Sequence, residues 1–322
     1  MKIVLLDAAT FGDVGFTGFN KFGEVEIFQT TSGSETCQKI ADADIVIINK
    51  VELDARLLKE AKKLKLICVA ATGVNNIDLK SAKDLGIGVC NVPSYSTSSV
   101  MCHTFSMFFY LMNHSRYYDE YCKSKKWCDS KIFSHLDRPF WELEGKMWGI
   151  IGLGTIGKSV AKAAEAFGCD VSYYSTSGKN LNQPYRHYNL KELLKTSNVV
   201  SIHAPLNEKT FNLIDLEKMR IMKKDAILLN LGRGGVVNEK DLAIALDSDL
   251  IGGAGIDVLE KEPPEKNHPL LNIKNTPKLF MTPHIAWAGI QARKRLVEEI
   301  ISNIKAFLDG KERNRIENKQ GF

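Results

Sequence analysis

No apolar run in the chain approaches the ~18 residues that a membrane-spanning helix needs, so no such span is expected. There is no C-x-x-C pair, and the seven cysteines (37, 68, 90, 102, 122, 128 and 169) are odd in number. That argues against a zinc knuckle or a disulfide frame and suits a reducing compartment; a cytoplasmic protein without a metal site is expected. Charge of one sign is also scarce: Lys+Arg 43 against Asp+Glu 38 leaves +5, spread along the chain with no basic block. Neither nucleic acid nor a membrane surface is expected as a partner. Met1-Lys2 followed by Ile3-Val4-Leu5-Leu6-Asp7 is too short and ends too acidic for a signal peptide, and looks like a first strand. Fixed-period repeats and low-complexity linkers are absent. What is present is globular: 322 residues, 44% hydrophobic and 25% charged, enough for about two domains of roughly 150 residues.

Short β-rich runs at 3–6, 45–48, 66–70 and 88–91 alternate with helical patterns at 35–43, 54–64 and 77–85, the last stopped by Gly86. One long apolar helical pattern is predicted from Ser96 to about Tyr118, with Thr97 or Ser98 as its N-cap, long enough to bridge two domains. Residues 119–144 carry aromatics without a clean period. A second series follows, with strands at 147–151, 171–174, 199–203, 226–230, 251–255 and 279–281 and helices at 156–167, 189–195, 215–222 and 239–247. The final stretch, 288–308, places Leu296, Ile300, Ile304 and Leu308 at helical spacing. Strands alternating with helices predict parallel α/β sheets, the second series inserted into the first. The expected boundaries are 1–97 with 288–322 for one domain and 98–287 for the other.

Gly152-Leu153-Gly154-Thr155-Ile156-Gly157 follows a predicted strand and opens a predicted helix. A G-x-G-x-x-G alone is weak, but in this context it predicts a dinucleotide site. Gly152 suits the tight turn, Gly154 a close approach of backbone to a pyrophosphate, and Gly157 close packing of helix on strand. The helix N-terminus at Thr155 and Ile156 supplies N–H groups to phosphate. A carboxylate that would bind the ribose hydroxyls is expected at the end of the second strand, yet Ser175, Thr176, Ser177, Gly178 and Lys179 stand there. Hydroxyls with a lysine suit a 2′-phosphate, so NADP is favoured over NAD, although a serine also tolerates NAD.

Three further segments fall after predicted strands: Asn230-Leu231-Gly232-Arg233-Gly234-Gly235, Asp257 to Pro263, and Thr282-Pro283-His284-Ile285. Reducing a 2-oxo acid needs a hydride at the carbonyl carbon, a proton for its oxygen and a cation for the carboxylate. Arg233 offers a bidentate fork. His284 is suited to give the proton, and Glu262 to orient its imidazole and stabilise the charged form. The glycines around Arg233 would let backbone sit against the nicotinamide. Taken singly, each residue has a bland explanation: a capped turn, a loop start, a structural histidine. Behind a dinucleotide signature they form one constellation. Histidines 103, 114, 135, 187 and 268 have no such partners in the sequence and are expected to be structural.

On GLGTIG, NLGRGG, DVLEKEP, TPHIAWAG and NVPSYST, over about residues 1–308, the chain resembles the D-isomer-specific 2-hydroxyacid dehydrogenase family. The resemblance implies a flavodoxin-like substrate domain made of the N-terminal part and the last helix, a Rossmann dinucleotide-binding domain inserted into it, and a homodimer. It places the catalytic arginine, glutamate and histidine on Arg233, Glu262 and His284. Asp257 would contact the nicotinamide amide, and the backbone of Ala71, Thr72, Gly73 and Val74 would meet the substrate carboxylate, alongside Arg233 and His284. Residues 71–76, Tyr95-Ser96-Thr97 and Trp287 resemble glycerate dehydrogenases (hydroxypyruvate reductases) most. Two departures stand out: Cys102, where an acidic or amide residue is common, and Ser175, in place of the usual aspartate. The expected activity is reduction of hydroxypyruvate or glyoxylate to the D-2-hydroxy acid. The alternatives are a D-lactate or branched 2-oxo acid dehydrogenase and, in another class, a nucleotide-sensing transcriptional corepressor on the same scaffold. Formate dehydrogenase relatives carry glutamine at the Glu262 position and fit poorly.

Overall fold

The computed structural model describes residues 1–318; the last four, 319–322, which fall in the expected 288–322 segment, lie outside the described residues. The chain forms two compact units, Met1–Ser96 together with the chain from Ala288 onward, and Thr97–Trp287.

The first unit begins with β1 (Lys2–Leu5), β2 (Glu24–Ile27), α1 (Gly33–Ile40), β3 (Ile45–Ile48), α2 (Ala55–Glu60), β4 (Leu66–Val69), α3 (Leu79–Asp84) and β5 (Gly88–Cys90). Its five strands are all parallel, in the order β2-β1-β3-β4-β5, which is the doubly wound 2-1-3-4-5 order of flavodoxin-like sheets. β3 (IVII) and β4 (LICV) are buried at every position, as strands covered on both faces must be. β2 escapes the sequence reading because Glu-Val-Glu-Ile is an edge strand whose charges hide its pattern. The helices start where side chains satisfy their first N–H groups: Ser32 and Glu35 form a capping box, Asp54 accepts the Leu57 N–H, and Asp78 accepts the Ser81 N–H.

The second unit contains α4 (Thr97–Met112), α5 (Ser115–Lys123), β6 (Met147–Ile151), α6 (Thr155–Ala166), β7 (Asp170–Tyr174), β8 (Arg186–His187), α7 (Leu190–Thr196), β9 (Val199–Ile202), α8 (Leu216–Arg220), β10 (Ile227–Asn230), α9 (Glu239–Asp247), β11 (Gly253–Ile256) and β12 (Leu279–Met281). The sheet order is β12-β11-β10-β9-β6-β7-β8, parallel throughout. Counted from β6, this is the Rossmann order 3-2-1-4-5-6 with one strand added, and its direction reverses between β6 and β9. Apolar clusters cover both faces, one around Leu193, Leu228 and Leu242 and the other around Phe105, Phe108 and Trp148.

Two expectations are corrected here. The single helix from Ser96 to Tyr118 is two helices, broken where His114 adopts φ 49°, a left-handed conformation that cannot continue a right-handed helix. β11 runs over Gly253–Ile256, later than the predicted 251–255, since Ala254, Gly255 and Ile256 pair with β12. The two-residue β8 is too short to leave a periodic signature.

The last helix, α10 (Ile290–Leu308), lies in the first unit and packs against β4; its Asn303 side chain donates to the Asn91 carbonyl at 3.0 Å. Beyond it the chain covers the edge of β5, with Arg315 bridging Cys90 antiparallel and the Glu317 carboxylate accepting the Val89 N–H at 3.0 Å.

Candidate active site

β10, β11 and β12 are consecutive parallel neighbours, so Arg233, Asp257 and His284 all leave from the same end of the sheet. At about 4.8 Å between strands, the outer two of these ends lie about 10 Å apart. Ligands of open α/β sheets bind at such carboxyl ends.

His284 Nδ1 lies 2.6 Å from Glu262 Oε2, and the other carboxylate oxygen accepts the Leu259 N–H at 2.9 Å. Nδ1–H is therefore the donor to Glu262, which leaves Nε2 to carry an exchangeable proton. The two side chains are partly open, 24% and 28% exposed. His284 has φ 54°, an uncommon region for a residue with a side chain, of the kind that clusters at functional sites. Asp257 holds it there. Its carbonyl accepts the His284 N–H at 2.8 Å, and its carboxylate accepts Thr282 Oγ1–H at 2.6 Å and the Ile285 and Ala286 N–H groups at 2.9 Å each. His103 completes the chain, its Nε2 3.0 Å from Thr282 Oγ1. The Thr282 proton is already given to Asp257, so His103 Nε2–H is the donor. Burial pushes the His103 pKa down, against the pull of Asp257.

The resemblance assigns Asp257 to the nicotinamide amide; within the chain its carboxylate accepts from the turn that presents His284. The side chain is fully enclosed. Histidines 103, 135 and 268, expected to lack partners, each have one: Thr282 and Asp257 for His103, Tyr117 for His135, and Glu239 for His268. These contacts join residues 18 to 179 positions apart and leave no local signal in sequence.

Arg233 follows β10 on a turn pinned by buried Asn230, whose side chain donates to the Arg233 carbonyl at 2.9 Å and accepts the Gly232 N–H at 3.2 Å. The guanidinium donates to the Gly232 carbonyl at 2.8 Å. Gly234 makes room for backbone of the chain itself. A Cβ there would sit 1.9 Å from the Leu259 carbonyl carbon and 2.3 Å from the Glu260 nitrogen. It is the loop carrying Glu262 that crosses this glycine.

In the glycine-rich turn, Gly152 has φ 90°, and a Cβ at Gly157 would lie 2.4 Å from the Gly152 carbonyl oxygen. Gly154 and Thr155 are exposed, and a Cβ on Gly154 would meet nothing within 4 Å. The N–H groups of Thr155, Ile156 and Gly157 open the twelve-residue α6. His203, just after β9, is a residue the sequence reading missed. Both its ring nitrogens are enclosed with no hydrogen-bond partner among the described residues, and burial pushes its pKa down to about 3. Open space at a helix N-terminus beside a neutral imidazole lacking partners fits a dinucleotide.

After β7, buried Ser175 accepts the Asn180 N–H at 3.4 Å, Ser177 accepts the Lys179 N–H at 3.2 Å, and Thr176 lies between them, with Lys179 exposed. Asn180, also missed, donates to the Leu153 carbonyl at 2.9 Å and so ties this loop to the glycine-rich turn. In the first unit, Thr72 and Gly73 follow β4, with Thr72 donating to the Val92 carbonyl at 3.0 Å and Val74 buried.

A Rossmann sheet with this turn and an imidazole–carboxylate pair at its carboxyl edge defines a nicotinamide-dependent oxidoreductase. The family model of the NAD-binding domain of D-isomer-specific 2-hydroxyacid dehydrogenases matches residues 105–286. The chain is 37% identical to a glycerate dehydrogenase of Methylorubrum extorquens, over 98% of this chain and 99% of that protein. It is 35% identical to a hydroxypyruvate reductase of Blautia hydrogenotrophica, over 96% and 98%. An acyclic imino acid reductase solved with NADPH and D-Arg superimposes with TM-score 0.87 at 30% identity, over 98% of this chain and all of that one. The chain belongs to the D-isomer-specific 2-hydroxyacid dehydrogenase family.

Proposed function

We propose that the protein reduces hydroxypyruvate or glyoxylate to the D-2-hydroxy acid, with Arg233, Glu262 and His284 as its catalytic residues. The observation that carries this is the 2.6 Å pair of His284 with Glu262, held at the same sheet edge that presents Arg233. The names of the two relatives support the substrate class. Arg233 binds the carboxylate and polarises the carbonyl; His284 Nε2 gives its proton to the carbonyl oxygen; Glu262 stabilises the imidazolium before transfer. The bound nicotinamide supplies the hydride. Gly152, Gly154, Thr155, Ile156 and Gly157 are its proposed phosphate side. Thr72, Gly73 and Val74 are the proposed carboxylate contacts of the first unit. That unit is the proposed substrate domain, and residues 98–287 the dinucleotide domain. Turnover of a panel of 2-oxo acids, ranked by kcat/KM with NADH and with NADPH, is the test. Hydroxypyruvate and glyoxylate should lead; no turnover of any 2-oxo acid would favour a binding protein.

NADPH is the proposed preferred cofactor, supported by hydroxyls and Lys179, with no carboxylate, after β7. Ser175→Asp should then move preference toward NADH. A carboxylate there would accept ribose hydroxyl bonds worth about 1.5–3 kcal/mol and repel the 2′-phosphate. At about 1.4 kcal/mol per decade, the ratio of the two kcat/KM values should change by about one to two decades. A wild-type enzyme that strongly prefers NADH would sink this assignment.

A cytoplasmic homodimer is the proposed working form. Trp127, Ile132, Phe133, Leu136 and Phe140 crowd large apolar side chains onto one exposed segment, with Phe133 90% exposed.

A further inference from the structure

Glu239 and His268 form a second carboxylate–imidazole pair, at the far end of the loop that carries Glu262. Glu239 opens α9; its Oε2 lies 2.7 Å from His268 Nε2, and its Oε1 accepts the Glu260 N–H at 2.7 Å. His268 Nδ1 accepts the Leu270 N–H at 3.3 Å, so Nδ1 is unprotonated and Nε2–H is the donor to Glu239. The pair is a neutral imidazole on a carboxylate, only 11% and 14% exposed. One carboxylate thus grips the chain at both 260 and 268, and Glu262 lies between the two points. On another side the same loop rests on Gly234, too closely for any side chain. Capping α9 does not require Glu239, because Asn238 already accepts the Asp241 N–H at 3.0 Å.

We propose that Glu239 and His268 are positioning residues for the reaction: they fix the 259–268 loop so that Glu262 meets His284 Nδ1 at hydrogen-bond distance. This rests on the reading of Glu262 as the partner of His284. A small displacement in a catalytic constellation can cost about 10²-fold, so the effect belongs in kcat rather than in cofactor affinity.

Glu239→Ala and His268→Leu are expected to lower kcat about tenfold to a hundredfold, with NAD(P)H binding, followed by fluorescence titration, within about twofold of wild type. His268→Gln, whose amide N–H can replace Nε2–H, should recover most of kcat. In a Glu262→Gln background, removing Glu239 should cost less than a further twofold, because the two act through one contact. If His268→Leu does not fold, Glu239→Gln carries the test: it keeps the volume but sets a donor against either the His268 Nε2–H or the Glu260 N–H. Unchanged kcat in the folded variants, or a full additive loss on top of Glu262→Gln, would overturn the proposal. If Glu262→Gln itself keeps wild-type kcat, it is the underlying role of Glu262 that fails.

Discussion

His284→Ala is expected to lower kcat by roughly 10²–10⁴-fold while leaving nucleotide binding intact, the usual range for removing a positioned general acid. Its Nδ1 is committed to Glu262 at 2.6 Å, so the transferable proton sits on Nε2 alone, and alanine leaves no group in its place. The nucleotide should still bind, because the glycine-rich turn, α6 and His203 lie on β6 and β9 rather than on β12. Fluorescence titration with NAD(P)H alongside steady-state kinetics separates the two. A variant with near-normal kcat would show that another group supplies the proton.

Arg233→Lys should be far from conservative, with kcat/KM for the 2-oxo acid falling about tenfold to a hundredfold, in line with the 1.5–3 kcal/mol of a charged hydrogen bond. An ammonium is a point charge and cannot reproduce the planar fork on a carboxylate. The turn itself should survive, since Asn230 pins it through the Arg233 carbonyl and the Gly232 N–H, both main-chain groups. KM should rise and kcat fall together, because the same cation binds the carboxylate and polarises the carbonyl. An unchanged KM would place the carboxylate elsewhere, with Thr72, Gly73 and Val74 the next residues to substitute.

Much of the site was legible because its chemistry is local. The glycine-rich turn lies within six residues between a strand and a helix, and α9 follows the predicted span 239–247 to the residue because Asn238 caps it and Leu242, Ala245 and Leu246 recur on one face. The central strands β3 and β4 were readable as unbroken apolar runs, and β10 as one as far as Asn230, which sheets covered on both faces demand. The edge strands β2 and β8 were not: β2 carries charge and β8 is two residues long.

By itself, the sequence determined the parallel α/β class, the dinucleotide turn, and which arginine, glutamate and histidine stand after strands. These depend on periodicity and on residues a few positions apart, where chain geometry leaves little choice. Only the tertiary structure decided what holds those residues in place. Asp257 holds the His284 turn, with His103 behind it 179 residues from Thr282, and Gly234 makes room for the Leu259 backbone. Glu239 reaches 29 residues to His268 to grip the Glu262 loop, and His203 keeps two nitrogens enclosed without partners among the described residues. The reason is physical: a buried polar group must find its partner wherever the packed sheet brings one, and separation along the chain carries no information about that distance.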